Sequence, residues 1–469
     1  MSEIPGAVKV VCPLPYSLTA QHWFSGLRDA TLPVLLTSGD PAHPSANVDI
    51  IAADPRCILR TSHGLTLIES LPDGGITTDT RPALTVLEQY CPVHPDPEGL
   101  QHLTFTGGAI GYFGYELLHD SNRIPRELPE GVQIDADDMV MGIYDWLIHI
   151  DHRRKESVLI IRESTAEREA WIQARIMQLV DMNVAAPPQA QETAAFRLTR
   201  PFSSNFTRDE YLARFRQVID YINAGDCYQV NLAQCFSAEC EGDSFAAFLQ
   251  LQARARAPFA AYIEDGNRQV LSFSPERFIQ VRNKQVVTQP IKGTRPRSKD
   301  PVQDLANQVD LETSAKDRAE NLMIVDLLRN DLGRVCAFGS VAVKHLFETQ
   351  SFTNVHHLVS TITGTLEQPE DVFRLIEAGF PGGSITGTPK IRAMEIISEL
   401  ETRPRSVYCG VIGWIGFNGN MDSNIAIRTL IRSGNTIHCW GGGGLVADSV
   451  GAEEYQETFD KISMFIDNL

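Results

Sequence analysis

Apolar residues in the first part of the chain come in short blocks broken by turn-forming residues. "LPVLLTSG" (32–39), "VDIIAADP" (48–55), "IGYFGYELL" (110–118), "MVMGIYDWLIHIDH" (139–152) and "SVLIIRES" (157–164) read as strands. A helical period first becomes clear in "TRDEYLARFRQVIDYINAGD" (207–226), with Thr207 or Asn205 as cap and Gly225 as stop. "SAKDRAENLMIVDLLRNDLGRV" predicts a helix from Ser314 to about Asp331, with Leu322, Val325 and Leu328 as its apolar stripe. "GAEEYQETFDKISMFIDNL" (451–469) predicts another, packed through Phe459, Ile462, Met464 and Phe465. Between the two halves, "DMNVAAPPQAQETAAF" (181–196) lacks a sustained period and reads as a linker. The segments are therefore 1–182, a linker over 183–200, and 201–469. The absence of a regular βαβ rhythm gives an α+β class.

Glycine marks two further places. "FPGGSITGTPK" (380–390) lacks the Gly-Lys-Ser/Thr of a phosphate loop and reads as a loop entering a helix, "KIRAMEIISEL". Thr386 or Thr388 would cap that helix, and Pro389 would occupy its first turn. Its free N–H groups would face an anion. "CWGGGGLVADS" (439–449) lacks the dinucleotide spacing. It reads equally as a bulged strand or tight turn, or as backbone free to approach a ligand carboxylate.

Composition narrows the classes. The 469 residues carry a net charge of −18, which argues against nucleic acid or an anionic membrane as partner. An anionic substrate would need cations supplied locally. The nine cysteines contain no CxxC and suit reduced cytosolic thiols. No apolar run approaches about 18 residues, and the N-terminus shows no signal-peptide pattern, so a cytoplasmic protein without a membrane span is expected. Cys227 lacks the following Gly of a glutaminase elbow and, like Cys409, reads as packing.

The chemistry rests on three observations. Lys292 in "QPIKGTRPR" (289–297) lies among apolar and small residues, either as a turn lysine or as a buried amine. Glu276 follows Pro275 in "SFSPERF", where a pairing with Arg277 is the plain alternative to a chemical role. Asp317 and Glu320, and again Glu454 and Glu457, sit three apart, so each pair shares a helix face. Such pairs are solvated surface in most helices, or oxygen ligands for Mg²⁺.

In order, "SFSPERF", "PIKGTRPR", "SAKDRAENLMIVDLLRNDLGRV", "VHHLVSTI", "FPGGSITGTPKIRAMEII", "AIRTL", "GGGGLVADS" and "EEYQETFDK" resemble the chorismate-utilising enzymes. These motifs cover the chain from about residue 205 to its end, and "LPVLLTSG" with "VDIIAADP" extends the likeness to the N-terminal region. The resemblance implies a large chorismate-binding fold, with antiparallel sheets forming a sandwich flanked by helices. Anthranilate-forming members carry Ala where this chain has Lys292, and water-adding members carry Lys where it has Gln229. It therefore resembles the branch that places an amino group at C4, with the anthranilate-forming branch as the alternative. By this matching Glu276 is the general acid and Lys292 a nucleophile, its amine kept neutral by burial or by a cation such as Arg295. Glu320 and Glu457 hold Mg²⁺, with Asp317 and Glu454 supporting. Thr294, His357, Ser384, Thr386, Tyr408, Arg428, Lys461 and the backbone of Gly442, Gly443 and Gly444 bind chorismate. A separate glutamine amidotransferase supplies ammonia. Ser38 lies in a segment that lines a tryptophan pocket in relatives, although Thr37 replaces a Glu found there.

Overall fold

The computed structural model describes residues 8–39, 47–71, 74–122, 124–125, 137–162, 164–185, 195–352 and 355–469. Part of the expected linker, 186–194, lies outside them. Two large antiparallel sheets, of 13 and 12 strands, dominate the chain. The strands that matter for the site are β1 (Val34–Thr37), β2 (Gly108–Phe113), β3 (Gln229–Glu241), β4 (Phe259–Asp265), β5 (Arg268–Ser274) and β6 (Arg277–Arg282). They continue with β7 (Ile291–Pro296), β8 (Val355–Thr365), β9 (Val411–Gly416), β10 (Met421–Ile425), β11 (Thr429–Ser433) and β12 (Thr436–Leu445). The 13-stranded sheet runs β1-β4-β5-β11-β12-β3 through this region, and the 12-stranded sheet contains β7-β8 and β6-β10-β9-β2. N-terminal β1 pairs with β4, and β2 pairs with β9, so both sheets draw strands from either side of 183–200.

One apolar core takes residues from both sheets, among them Ile110, Val230, Ile263 and Ile412. A second joins the 13-stranded sheet to flanking helices through Trp23, Phe24, Ile176, Phe245 and Phe248. The expected α+β sandwich flanked by helices is what the chain builds. The run 139–152 differs from its expectation. It is two strands, Met139–Tyr144 and Trp146–Asp151, one in each sheet. The crossing falls at Asp145, fully buried and held by Arg168 at 2.6 and 2.7 Å. A paired charge there lets the chain leave one sheet for the other without an orphaned polar group.

Four helices frame the site: α1 (Arg208–Ala224), α2 (Ala315–Gly333), α3 (Lys390–Leu400) and α4 (Gly451–Asp460). Thr207 caps α1 reciprocally with Glu210, while Asn205 instead accepts from the Cys235 N–H. On α2, Val325 and Leu328 are buried but Leu322 is exposed. The inner face is turned towards Asn321, whose side chain accepts from Ser360 and donates to the Leu358 carbonyl. A satisfied amide takes the place expected for a leucine. Neither Thr386 nor Thr388 caps α3. The Thr386 hydroxyl donates to the Gly382 carbonyl, and Pro389 is itself the cap residue. The C-terminal helix stops at Asp460 rather than continuing, because the Lys461 carbonyl accepts from Arg428 instead of from the next helical turn.

Candidate active site

The chain crosses between the sheets twice at one place. Ser274, Pro275 and Glu276 link β5 to β6, and Ala426 to Arg428 link β10 to β11. The crossings are bonded to each other, the Ile425 N–H to the Glu276 carbonyl at 3.0 Å and the Ser274 hydroxyl to the Ile425 carbonyl at 2.6 Å. Arg428 takes a left-handed φ of 54°, a conformation uncommon for a residue with a side chain.

Ser384 ties the two candidate catalytic groups together. Its hydroxyl donates to Glu276 Oε1 at 2.7 Å, and its carbonyl accepts from Lys292 Nζ at 3.1 Å. Arg277 does not pair with Glu276; it turns to Asp422 and Gln289, each at 3.0 Å. Burial raises the Glu276 carboxyl above its ordinary range, and the Ser384 bond and the Lys292 charge offset part of that rise. Burial lowers the Lys292 amine, against the opposing pull of Glu320 and Glu276. Arg295 is not the nearby cation. It is spent on Asp310 at 2.5 Å and Asp317 at 3.1 Å, and Lys461 is the positive group that Lys292 feels.

The acids divide into matched and unmatched. Asp317 is paired with Arg295, and Glu457 with Lys461 at 2.5 Å. Buried Glu454 accepts from Ser449 at 2.7 Å. Half-buried Glu320 accepts no hydrogen bond among the described residues. Burial raises the carboxyls of Glu320 and Glu454, and their acidic neighbours push the same way. Burial pushes Glu457 up as well, but the charge and hydrogen bond of Lys461 outweigh it, and its net shift is downward. Among the described residues no three His, Cys, Asp or Glu side chains gather closely enough to hold a metal by themselves. Glu320 and Glu457, electrostatic neighbours with Glu320 unpartnered, fit an ion that takes one or two carboxylates and keeps waters and substrate oxygens.

The remaining residues close round this pair. Thr294 lies opposite His357 across β7 and β8, with its hydroxyl 2.9 Å from His357 Nδ1. Burial lowers His357 to about 4, so the ring is neutral near pH 7. Tyr408 stacks on Trp440 at 5.9 Å between ring centres and is an electrostatic neighbour of Arg428, whose guanidinium also feels Glu457. Lys461 reaches the Gly442 carbonyl at 2.7 Å. The glycine run is neither bulge nor turn. It pairs with β3 in unbroken register from Glu239↔Thr436 to Val230↔Leu445. A Cβ on Gly443 would stand 3.0 Å from Glu454 Oε2, and one on Gly444 2.1 Å from Gln229 Nε2. The missing side chains let α4 bring its acids onto the strand and leave room for buried Gln229.

Thr386 lies with its hydroxyl turned into its own loop, and Ser38 lies elsewhere. The Ser38 N–H donates to Asp49 Oδ1 at 3.0 Å, and its neighbours Leu36 and Thr37 line a cavity of about 210 Å³ between the sheets, with Phe259 and Trp414. Sequence reasoning missed Ser449, Lys316, an electrostatic neighbour of Glu320, Glu454 and Glu457, and the buried pair Glu401–Arg405. Glu401 and Arg405 lie past the end of α3, with Glu401 extended, so helical spacing gave no signal for that pair.

A crossing-point acid, a partly buried amine and helix-borne acids beside a two-sheet sandwich agree with the class that the whole chain shows: residues 34–467 match the family described as chorismate binding enzyme, and the chain belongs to it. Within it, the chain is 46% identical over 454 residues to aminodeoxychorismate synthase component 1 of Klebsiella aerogenes, covering 96% of each. It is 45% identical to the protein of that name from Escherichia coli K12, again covering 96% of each. Anthranilate synthase component I from Streptococcus pneumoniae superposes with a TM-score of 0.77 at 30% identity, covering 90% of this chain and 93% of that one.

Proposed function

We propose that this chain converts chorismate and ammonia to 4-amino-4-deoxychorismate, the amino-transferring step towards p-aminobenzoate and folate. One observation carries the reading: a single serine bridges a buried carboxyl and a partly buried amine, at 2.7 and 3.1 Å. Burial disfavours the charged forms of both, so the protonated acid and neutral amine become accessible together. That is the pairing the chemistry needs. The Lys292 lone pair forms a bond to C2, the ring double bonds shift, and the C4–O bond breaks as Glu276 gives its proton to the departing oxygen. Water leaves, and the Glu276 carboxylate can take back the proton released by the alkylated amine. Ammonia then bonds to C4, the double bonds return, and the C2–N bond breaks as Glu276 gives its proton to the Lys292 nitrogen; the Glu276 carboxylate then takes a proton from the new C4 ammonium, leaving the amine product and neutral Lys292.

Arg428, Lys461 and neutral His357 supply the positive and polar surface for the substrate carboxylates, and Tyr408 and Thr294 flank the ring. Glu320 and Glu457 would hold Mg²⁺, backed by Glu454; the ion neutralises charge on the ring carboxylate. Asp317 serves Arg295. The relatives' names call them component 1, and this reading gives the chain a partner, a glutamine amidotransferase that supplies ammonia. The cavity beside Leu36 and Thr37 is where a bound tryptophan would sit, between Phe259 and Trp414. A cytoplasmic setting follows the same reading and suits nine free cysteines.

The test is turnover of chorismate with Mg²⁺ and an ammonium salt. Formation of p-aminobenzoate only after addition of the lyase that acts on aminodeoxychorismate is expected. A fluorescent anthranilate product would overturn the reading.

A further inference from the structure

Arg405 is 1% exposed and ties together parts of the chain around Asn231, Ile385 and Tyr408. Its guanidinium holds Glu401 through two bonds of 2.6 and 2.9 Å. It also donates to the Ile385 carbonyl at 2.9 Å and to the Asn231 carbonyl at 2.9 Å. Its plane lies 4.7 Å from the Tyr115 ring, with Tyr408 at 5.9 Å. Its own carbonyl accepts from the Tyr408 N–H at 3.0 Å, and its N–H donates to buried Glu116 at 2.8 Å. Glu401 in turn accepts from the Ala233 N–H at 2.8 Å. So the fork fixes two pieces of backbone, β3 just beyond Gln229 and the residue after Ser384, while the main chain of Arg405 holds the turn into Tyr408. With four of its five donors on protein acceptors and its side chain buried, this arginine serves the protein rather than a ligand.

We propose that Arg405 is the positioning residue of the candidate site, setting Glu276 and Lys292 in register by holding the Ile385 carbonyl and thereby Ser384. The inference rests on the aminodeoxychorismate reading for its assay, and turnover by the unaltered chain tests that reading separately. The geometry explains why the position is an arginine. Ser384 lies in a loop, 380–389, with only a single 3-10 turn and a two-residue bridge of its own. Its hydroxyl and carbonyl serve two different reacting groups, so both its position and its orientation need to be fixed. The Arg405 fork binds one carboxylate edge-on and leaves donors aimed at two carbonyls in fixed directions, which an ammonium cannot reproduce.

The experiment is a double-variant cycle on the full chain with chorismate, Mg²⁺ and an ammonium salt. Arg405→Lys should lower kcat by about 10²-fold, the scale of a small misplacement of reacting groups. KM for chorismate should stay within about threefold, because Arg428, Lys461 and His357 are untouched. Ser384→Ala should lower kcat on its own, and Arg405→Lys should cost less in that background than alone, because the Glu276 part of its effect is already lost while the Ser384 carbonyl still serves Lys292. A folded Arg405→Lys protein with unchanged kcat overturns the proposal, as does a loss carried by KM or losses that multiply in the double variant. Melting temperature is read first on each. If Arg405→Lys does not fold, Glu401→Gln, which keeps one acceptor oxygen but sets an amide N–H against a donor of the fork, loosens the same anchor, and the same cycle decides.

Discussion

Replacing Ser384 by Ala removes one hydroxyl and no backbone contact, so it isolates the bond to Glu276. That bond is 2.7 Å long and sits on a buried carboxyl. A hydrogen bond to an ionised group contributes about 1.5–3 kcal/mol. Here it stabilises the carboxylate, partly offsetting the rise that burial imposes. Without it the ionised form loses that stabilisation, and each 1.36 kcal/mol is a factor of about ten in the proton equilibrium. The protonated fraction of Glu276 at a given alkaline pH should therefore rise at least about tenfold. As a general acid Glu276 works protonated, so the limb of kcat/KM that falls with rising pH should move to higher pH in Ser384→Ala. The maximum rate should fall at the same time, because Glu276 is less well aimed. The assay is a pH–rate profile for both proteins with coupled detection of p-aminobenzoate. A lower rate with an unmoved alkaline limb would refute the argument: either Glu276 is not the titrating acid, or Ser384 does not govern it.

Lys292→Ala should lower turnover with ammonia by about 10²–10⁴-fold, and intact-protein mass spectrometry after chorismate should show an adduct on the unaltered chain alone; full retention of activity removes Lys292 from the mechanism. Glu320 and Glu454 have raised carboxyls, so their contribution to stability is present at low pH and lost as pH rises through their folded values. Mg²⁺ must displace the same protons, so the rise in melting temperature on adding Mg²⁺ should grow as pH rises above the ordinary carboxylate range; a pH-independent rise would separate these acids from the metal. Gly444→Ala places a Cβ 2.1 Å from the buried Gln229 amide and should cost about 1–3 kcal/mol by urea unfolding, with loss of activity. An unaffected variant would mean that Gln229 is free to move.

Elements were legible where the local pattern decided them. The strand blocks, the Thr207 cap and the acid pairs on α2 and α4 all follow from periodicity and spacing. The failures share a cause, which is that a distant partner changed what a residue wants. Leu322 faces solvent because Asn321 finds Ser360, and the final helix breaks because Arg428 claims the Lys461 carbonyl. The run 139–152 splits because Asp145 finds Arg168. The bonds of Ser384 to Glu276 and Lys292 were equally hidden, since both partners are remote in sequence. None of these partners is closer in sequence than 23 positions, beyond the reach of any local rule.

An acidic chain can assemble a site for a dianionic substrate because its positive groups are distributed unevenly. Arg277, Arg295 and Arg405 are paired with Asp422, Asp317 and Glu401. Arg428 and Lys461 are different. Each is anchored through a main-chain carbonyl, Arg428 to Lys461 and Lys461 to Gly442, and a carbonyl orients a cation without cancelling its charge. Lys461 does share Glu457, but binding of a cation to that carboxylate would loosen the pair and release the lysine towards a substrate carboxylate. The glycine strand makes this exchange possible, since only a bare backbone lets Glu454 and Glu457 lie against Gly443 while Lys461 reaches Gly442. Charge balance in the site is thus a property of the β12–α4 contact, set by glycines that carry no chemistry themselves.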